Sequence, residues 1–383
     1  MIKIYLHQMN STCENSAYNF STLIKYLESN KYIFVNNISY CDLIVVNTCV
    51  VSDKLIDSCE FLIKNLSDIY PSKKIVLFGC ISGFKQKFKQ NQNIRIIKSI
   101  KDISLKDVFK GETNTKNISS YKLYNYKEHQ SRISNSDNFI LISQGCINNC
   151  SYCNIKITKG FVKSRTIKDI KKDISILNLN SVSEVTLLGD DCGSYGMDIN
   201  QNFSKLLDKI DKGFPNIKLK IYTIFPSLFL KHKDIILDLI KKGKITYICI
   251  PVQSGSKKIL KLMNRDYDLN LLIKCLLKIK YLNPKTHLFT HIIINFPKES
   301  ISDFQKSMSI AKYFDEVLFL KYCDNSNTKA NLIRPKCDKN EFETKYRLLT
   351  KTFKNNIKRI NGKITFITLN NTTNELIGRP CKL

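Results

Sequence analysis

The sequence predicts an α/β protein, in which a small N-terminal α/β domain is followed by a partial (β/α)6 barrel. Short apolar strands alternate with longer helix-like segments along most of the 383 residues, as in parallel sheets that are covered by helices. Two strands end directly in a cysteine, and another leads into the stretch GCINNCSYC. Because α/β sheets place their sites at the carboxyl ends of parallel strands, we expect these thiols to be functional.

The N-terminal α/β domain is predicted over residues 1–105. Its strands are IKIYL, CDLIVVN and KKIVLFG, and helix-like segments such as STLIKYLES and SDKLIDSCEFLIKNL separate them. Cys49 and Cys80 close the second and third strands, and Cys13 follows the first. All three thiols are therefore candidates for one edge of this sheet.

A polar, aperiodic linker is predicted over residues 106–135, and a second domain over 136–335. The strands of the second domain are NFILIS, EVTLLG, LKIYTI, ITYICIPV, LFTHIIIN and EVLFL. Active sites of parallel barrels lie at the carboxyl ends of the strands. The cysteine loop directly follows the first of these strands, so we expect it at that face.

The last part of the chain, 336–383, is strongly basic. The segment FETKYRLLTKTFKNNIKRINGK is predicted as a charged helix and ITFITL as a short strand. Lys351, Lys354, Lys358 and Arg359 on this helix are candidates for phosphate contacts. The alternative is that they form only a solvated face.

The spacing of Cys146, Cys150 and Cys153 is C-x-x-x-C-x-x-C, with no fourth cysteine close by. A zinc ribbon requires two separated C-x-x-C pairs, so this pattern is not typical of one. Thiolates suit zinc, copper(I) or iron–sulfur clusters, and three of them on a 4Fe-4S cluster leave one iron open for a small molecule. The alternative is that the three cysteines fell together by composition and are simply small buried residues.

The composition points to a polyanionic partner. The 61 Lys and Arg residues against 33 acidic ones give a formal net charge of +28, which favours nucleic acid through phosphate contacts. A lysine bias of the whole genome would give the same excess.

The N-terminus lacks the apolar core of a signal peptide, and no stretch approaches the roughly 18 apolar residues of a membrane span. The protein is predicted to be cytoplasmic, with no membrane partner.

Several motifs resemble those of the radical S-adenosylmethionine methylthiotransferases, and the resemblance runs through nearly the whole chain. GCINNCSYC followed by KITKGFVKSR is similar to the family's cluster loop and its continuation. Other stretches are similar to earlier and later motifs of the family: NTCVV, FGCIS, LLGDDCGSYGMDI, IPVQSGSKKILKLMNRDY and IINFPKES. The resemblance implies an N-terminal methylthiotransferase domain, a radical S-adenosylmethionine core and only a vestige of the family's C-terminal RNA-binding barrel.

The resemblance also implies the cofactors and their ligands. Cys146, Cys150 and Cys153 would hold a 4Fe-4S cluster whose open iron binds S-adenosylmethionine, and a second 4Fe-4S cluster would be held by Cys13, Cys49 and Cys80. Arg165 is the implied cofactor contact of the loop, and Arg265 is a further candidate for contact with cofactor or phosphate. No side chain is singled out as catalytic.

The chain departs from the family pattern at some positions. Near the first auxiliary ligand, Cys13 and His7 compete, and the ungapped distance to KYIFVNN favours Cys13. His291, Asn295 and Lys298 stand where the family tends to have Asp, Gly and Gly.

The resemblance implies a tRNA substrate at the anticodon stem-loop and a reductant protein as a further partner. Lys156 and the wording DDCGSYGMDI are more similar to the archaeal and eukaryotic enzymes that act on N6-threonylcarbamoyladenosine. Alternatives are isopentenyladenosine in tRNA, an aspartate of a ribosomal protein, or an inactive RNA-binding relic.

Overall fold

The computed structural model describes residues 1–9, 14–50, 52–81, 93–97, 121 and 138–353, and the backbone alone of 357–360 and 363–368. Cys13, Lys354 and nearly all of the predicted linker lie outside these residues. The described residues form two compact units. One contains the described residues before 128 together with Asn154–Gly160, and the other contains the remainder. The sequence instead predicts residues 154–160 as part of the second domain.

The first unit is built on a parallel five-stranded sheet with the order β2-β1-β3-β4-β5. Its strands are β1 (Lys3–Gln8), β2 (Ile33–Phe34), β3 (Leu43–Thr48), β4 (Lys74–Gly79) and β5 (Ile94–Ile97). Three of them are the predicted strands. The short β2 and β5 were not predicted, because each offers only a few apolar residues.

Two helices of the first unit cover opposite faces of this sheet: α1 (Glu14–Ser29) and α2 (Asp53–Ile69). Phe20 of α1 packs with Val45 and Phe78, whereas Ile63 of α2 packs with Val46 and Leu77. Alternate residues of each strand therefore face different helices, as the period of two requires. Ser52 caps α2 by accepting a hydrogen bond from the backbone N–H of Leu55.

The second unit is a partial barrel, as predicted. Its parallel strands follow the order β13-β12-β11-β10-β9-β6, with all six predicted strands present. They are β6 (Phe139–Leu141), β9 (Glu184–Leu188), β10 (Lys218–Tyr222), β11 (Ile245–Cys249), β12 (His287–Ile294) and β13 (Glu316–Lys321). A small pair, β7 (Ser143–Gln144) and β8 (Lys163–Ser164), flanks the cysteine loop.

Helices connect the strands, and those of the second unit cover the outside of the barrel. They are α3 (Ile155–Lys159), α4 (Ile167–Leu179), α5 (Phe203–Gly213), α6 (Pro226–Lys231), α7 (Lys233–Lys241), α8 (Lys257–Leu262), α9 (Leu269–Leu282) and α10 (Ile301–Ala311). Of these, α3 belongs to the first unit. Among the residues described, no helix combines the length and apolar character needed to cross a membrane.

The prediction of one long helix near the C-terminus is wrong for the second half of that segment. The helix, α11 (Lys339–Thr352), ends well before residue 363, and two antiparallel strands follow, β14 (Ile357–Ile360) and β15 (Lys363–Thr368). Strand β15 pairs with the barrel edge strand β13. Lys358 and Arg359 therefore lie on a strand rather than on a helix with Lys351. Pairing with an open sheet edge outweighs the helical propensity of this basic stretch.

Helix α11 is attached to the barrel through a buried cation. The Lys345 side chain is 1% exposed, and its Nζ lies 3.2 Å from Oε2 of Glu299, which is equally buried. The same Nζ donates to Oδ1 of Asn295 at 3.2 Å. Asn295 and Lys298, where the resemblance leads us to expect glycines, both have φ 65°. The backbone thus keeps a conformation that favours glycine, and the Asn295 side chain is used to bind α11.

Candidate metal and cofactor site

The cysteine loop leaves β7 through Gly145, whose φ is 80°. This left-handed conformation is one that glycine adopts without steric cost. The Gly145 backbone N–H donates to Oδ2 of Asp190 at 2.8 Å. Asp190 lies two residues after the end of β9, so the segment that follows this strand fixes the start of the loop.

The far half of the loop is held by the segment after α8 and by a later turn. Ser151 donates its backbone N–H to the Met263 carbonyl at 2.9 Å and its hydroxyl to the Leu262 carbonyl at 2.8 Å. The Ser151 carbonyl accepts from the Ala330 N–H at 2.8 Å. The Asn264 side chain donates to the Asn149 carbonyl at 2.8 Å. The loop backbone is therefore positioned by elements that are distant in sequence.

The three thiols of the loop, Cys146, Cys150 and Cys153, form no disulfide and are partly exposed. Burial, together with the nearby carboxylate of Asp191, raises the pKa of Cys146 to about 12. In the described part of the chain, no three His, Cys, Asp or Glu side chains converge as ligands of a single metal ion. A 4Fe-4S cluster does not require such convergence, because each thiolate binds a different iron. Three accessible thiols on one fixed loop fit that cluster and leave one iron without a protein ligand.

Arg265 supplies a buried positive charge beside the loop. Its Nη1 lies 3.4 Å from Sγ of Cys150 and 3.2 Å from Oη of Tyr152. Its guanidinium carbon lies 4.0 Å from the ring centroid of Phe225, a cation–π contact. Arg265 remains charged in a protein, so it places a fixed positive charge next to the sulfur of Cys150.

Arg165 follows β8, and its guanidinium is engaged within the second unit. Its Nη1 forms an ion pair with Oδ2 of Asp173 on α4 at 2.7 Å and donates to the Leu141 carbonyl at 3.0 Å. These contacts link the middle of α4 to the first barrel strand. The cofactor contact that the resemblance implies for Arg165 stays a prediction.

Asn148, Asp190 and Asp191 surround the thiols but were not predicted. Asn148 donates to Sγ of Cys146 from its backbone N–H at 3.4 Å and from its side-chain Nδ2 at 3.2 Å. Nδ2 also donates to Oδ2 of Asp191 at 2.9 Å. The signal in the sequence is the adjacent acidic pair at a strand end, within the motif LLGDDCGSYGMDI. Cys192 itself is fully buried.

In the first unit, Cys49 and Cys80 directly follow β3 and β4. The last residues of these strands, Thr48 and Gly79, are partners in the sheet register, so both cysteines leave the same edge, as predicted. The Thr48 hydroxyl donates to the Phe78 carbonyl at 2.7 Å and accepts from the Ile81 N–H at 3.2 Å. These bonds join the two strand ends below the thiols.

The third auxiliary ligand is not decided by the described residues, since Cys13 lies outside them. His7 lies within β1, where it is the register partner of Val46 rather than of a residue at the strand end. Burial lowers the pKa of His7. The preference for Cys13 over His7 stays a prediction.

Gly79 lies at a close approach between the two strand ends. Its φ is +97°, and an added Cβ would lie 2.7 Å from Oδ1 of Asn47 and 3.0 Å from the Thr48 carbonyl oxygen. Asn47 is itself buried and donates from Nδ2 to the Ser16 hydroxyl at 3.2 Å. Because Gly79 has no side chain, it leaves room for the Asn47 amide, whose hydrogen bond joins β3 to the first turn of α1.

We expect Gly79→Ala to destabilise the first unit by about 2–4 kcal/mol, because it adds backbone strain to the displacement of Asn47. Chemical unfolding of the apoprotein measures the change. Gly243→Ala is the matched control, since Gly243 has φ +70° and no atom within 4 Å of an added Cβ. Equal decreases in the free energy of unfolding for the two variants would show that the close approach to Asn47 has no energetic importance.

Two family models match the chain. The model of the Radical SAM superfamily matches residues 140–311, and the model described as Uncharacterized protein family UPF0004 matches residues 3–99. With the partial barrel and its thiol loop, these matches define the protein as a radical S-adenosylmethionine enzyme.

Named relatives make the classification more specific. The tRNA-2-methylthio-N(6)-dimethylallyladenosine synthase of Thermosipho africanus is 32% identical, with 81% of this chain and 72% of the relative covered. The synthase of the same name from Clostridium botulinum is 28% identical, with 96% and 87% covered. The chain belongs to the radical S-adenosylmethionine methylthiotransferase family. Its cofactors are S-adenosylmethionine and two 4Fe-4S clusters.

Solved structures support the fold alone. The radical S-adenosylmethionine methyltransferase TsrM from Kitasatospora setae, with cobalamin and a [4Fe-4S] cluster bound, is similar with a TM-score of 0.56 and 12% identity, covering 86% of this chain and 74% of that one. The cobalamin-dependent radical enzyme OxsB gives a TM-score of 0.55 and 14% identity, covering 97% and 64%.

Proposed function

We propose that this protein is a tRNA methylthiotransferase that modifies carbon 2 of an N6-substituted adenosine beside the anticodon. The observation that carries the proposal is the fixed loop of three accessible thiols at the barrel, combined with a second pair of thiols at a sheet edge of the N-terminal unit. Radical S-adenosylmethionine chemistry needs the first set, and sulfur insertion needs the second. The family assignment and the names of the relatives support the same reaction.

In this proposal, Cys146, Cys150 and Cys153 hold the cluster that binds S-adenosylmethionine. When bound, these cofactors supply a radical able to abstract hydrogen from an unactivated C–H bond. The residues of the chain hold the loop in place: Asp190 fixes its start, Ser151 fixes its far half, and Arg265 compensates charge on Cys150. Arg165 links α4 to the first barrel strand and is a candidate cofactor contact.

Cys49 and Cys80 are proposed to hold the second cluster, with Cys13 as the preferred third ligand and His7 as the alternative. The paired strand ends Thr48 and Gly79 set the spacing of the first two thiols. Their position at the carboxyl edge of a parallel sheet is the usual place for a site in such a fold.

The net charge of +28 supports binding of the anticodon stem-loop, because lysine and arginine contacts to phosphates release counterions. Anticodon loops present unstacked bases, which proteins bind by stacking and by contacts to their edges. A reductant protein is the other proposed partner, since the cluster must receive an electron before each turnover.

Two N6 substituents are candidates, and a separate observation favours each. The wording around Lys156 and in DDCGSYGMDI favours threonylcarbamoyladenosine. The names of the relatives favour dimethylallyladenosine for those proteins. We retain threonylcarbamoyladenosine as the proposal from the motifs and dimethylallyladenosine as the second candidate.

Nucleoside mass spectrometry tests the function and separates the candidates. We expect tRNA from a strain lacking the gene to lose the 2-methylthio group from one of the two modified adenosines, and the wild-type gene to restore it. Cys150→Ser is the matched negative control, since it removes one proposed cluster ligand. Loss of methylthio-aspartate from a ribosomal protein, with both nucleosides unchanged, would replace tRNA with a protein substrate. Binding of tRNA without any cleavage of S-adenosylmethionine would indicate an inactive relic.

A further inference from the structure

Asn148 lies between a cluster thiol and a buried carboxylate. Its Nδ2 is 3.2 Å from Sγ of Cys146 and 2.9 Å from Oδ2 of Asp191. A primary amide nitrogen carries two hydrogens, so one NH₂ group can donate to both acceptors at once. The Asn148 backbone N–H is a second donor to the same sulfur, at 3.4 Å.

Asp191 fixes which way the amide of Asn148 points. Its Oδ1 accepts from the backbone N–H groups of Gly193 and Phe225, both at 3.0 Å. Its Oδ2 accepts from the Ser194 hydroxyl at 2.6 Å and from Asn148. An ionised carboxylate only accepts hydrogen bonds. The side of the amide that faces Asp191 must therefore be NH₂, and the same group then reaches Cys146.

The surroundings allow little freedom for this arrangement. Asp191 is 3% exposed, and an added Cβ at the neighbouring Gly193 would lie 2.5 Å from Cβ of Leu228. The turn that carries Asp191 is therefore tightly packed, and three donors besides Asn148 hold the carboxylate in its orientation. Asn148 is held by a rigid acceptor 43 residues further along the chain.

Hydrogen bonds to cluster sulfurs are among the factors that set the potential of an iron–sulfur cluster. A donor withdraws electron density from the thiolate and stabilises the reduced, more negative cluster. We infer that Asn148 is a positioning residue which, held by Asp191, keeps an N–H donor on Cys146 and raises the reduction potential of the cluster that binds S-adenosylmethionine. The inference depends on the cluster assignment but not on the identity of the RNA substrate.

The test is a redox titration of the full-length, reconstituted protein, followed by electron paramagnetic resonance. The signal that changes when S-adenosylmethionine is added identifies the relevant cluster. We expect Asn148→Leu, which removes the side-chain donor at similar size, to shift the midpoint potential to a more negative value while iron content stays at the wild-type level. Asn149→Leu is the matched control, because Asn149 is an exposed neighbour on the same loop, and it should keep the wild-type potential.

Asn148→Ser is measured in parallel as a smaller, polar variant, because serine is too short to bridge Cys146 and Asp191. A negative shift in either iron-loaded variant supports the inference. A wild-type potential in the loaded variants would overturn it. Failure of both variants to retain iron would also overturn it, because Asn148 would then act in cluster assembly rather than in setting the potential.

Discussion

Replacing Cys146, Cys150 and Cys153 together with alanine is expected to remove half of the iron and half of the acid-labile sulfide from the reconstituted protein. Alanine offers no ligand, and a 4Fe-4S cluster needs its thiolates for attachment. The second cluster should remain, since its proposed ligands are in the first unit. Iron and sulfide analysis with Mössbauer spectra of anaerobically reconstituted wild type and triple variant measures the change. Cleavage of S-adenosylmethionine should be abolished in the same variant.

Two control variants make this result interpretable. Cys49→Ala with Cys80→Ala should remove the other half of the iron, and Cys323→Ala, at an exposed thiol outside both sites, should remove none. Loss of all iron in the triple variant would mean that the N-terminal thiols hold no cluster by themselves. Unchanged iron would mean that the loop is not the site.

Replacing Lys345 with methionine should destabilise the second unit by about 3–5 kcal/mol, the usual cost of leaving a buried charge without its partner. The Lys345 Nζ donates to the Glu299 carbonyl at 2.6 Å in addition to pairing with its carboxylate. Methionine fills a similar volume but leaves the carboxylate buried and uncompensated. Chemical unfolding of the apoprotein at pH 8 measures the loss.

The stability that Lys345→Met loses should become smaller at lower pH. Burial raises the pKa of Glu299 to about 7, against the opposing effect of Lys345. A folded-state pKa above the unfolded value means that the native state takes up a proton as the pH falls, so an acidic medium removes the unpaired charge. An equal loss at pH 8 and at pH 5 would contradict this explanation.

Lys351→Met on the same helix is the matched control for the packing of α11. Lys351 is exposed, so its replacement should change the stability by less than about 0.5 kcal/mol. The double variant Lys345→Met with Glu299→Gln should recover much of the loss, because it removes both charges. If Lys345→Met and Lys351→Met behave alike, the buried ion pair does not hold α11 to the barrel.

The sequence by itself determined the architecture and the candidate ligands. Apolar runs of strand length, separated by helical patterns, identified three strands of the first unit and all six parallel strands of the barrel, because local periodicity reflects which face is buried. Strand-end positions of Cys49 and Cys80 followed from the same pattern. The thiol spacing in GCINNCSYC indicated a cluster loop before any fold was known.

Only the tertiary structure decided which side chains surround the thiols and where the C-terminal helix ends. Arg265 lies 115 residues from Cys150 along the chain, so no local pattern could pair them, and Asp191 reaches Cys146 through Asn148. Residues 357–360 form a strand because the chain that follows them pairs with the edge strand β13. Lys345 is buried, although its helix looks solvated in sequence, because Glu299 and Asn295 supply compensating partners. In each case the deciding interaction is long-range, and periodicity carries no information about it.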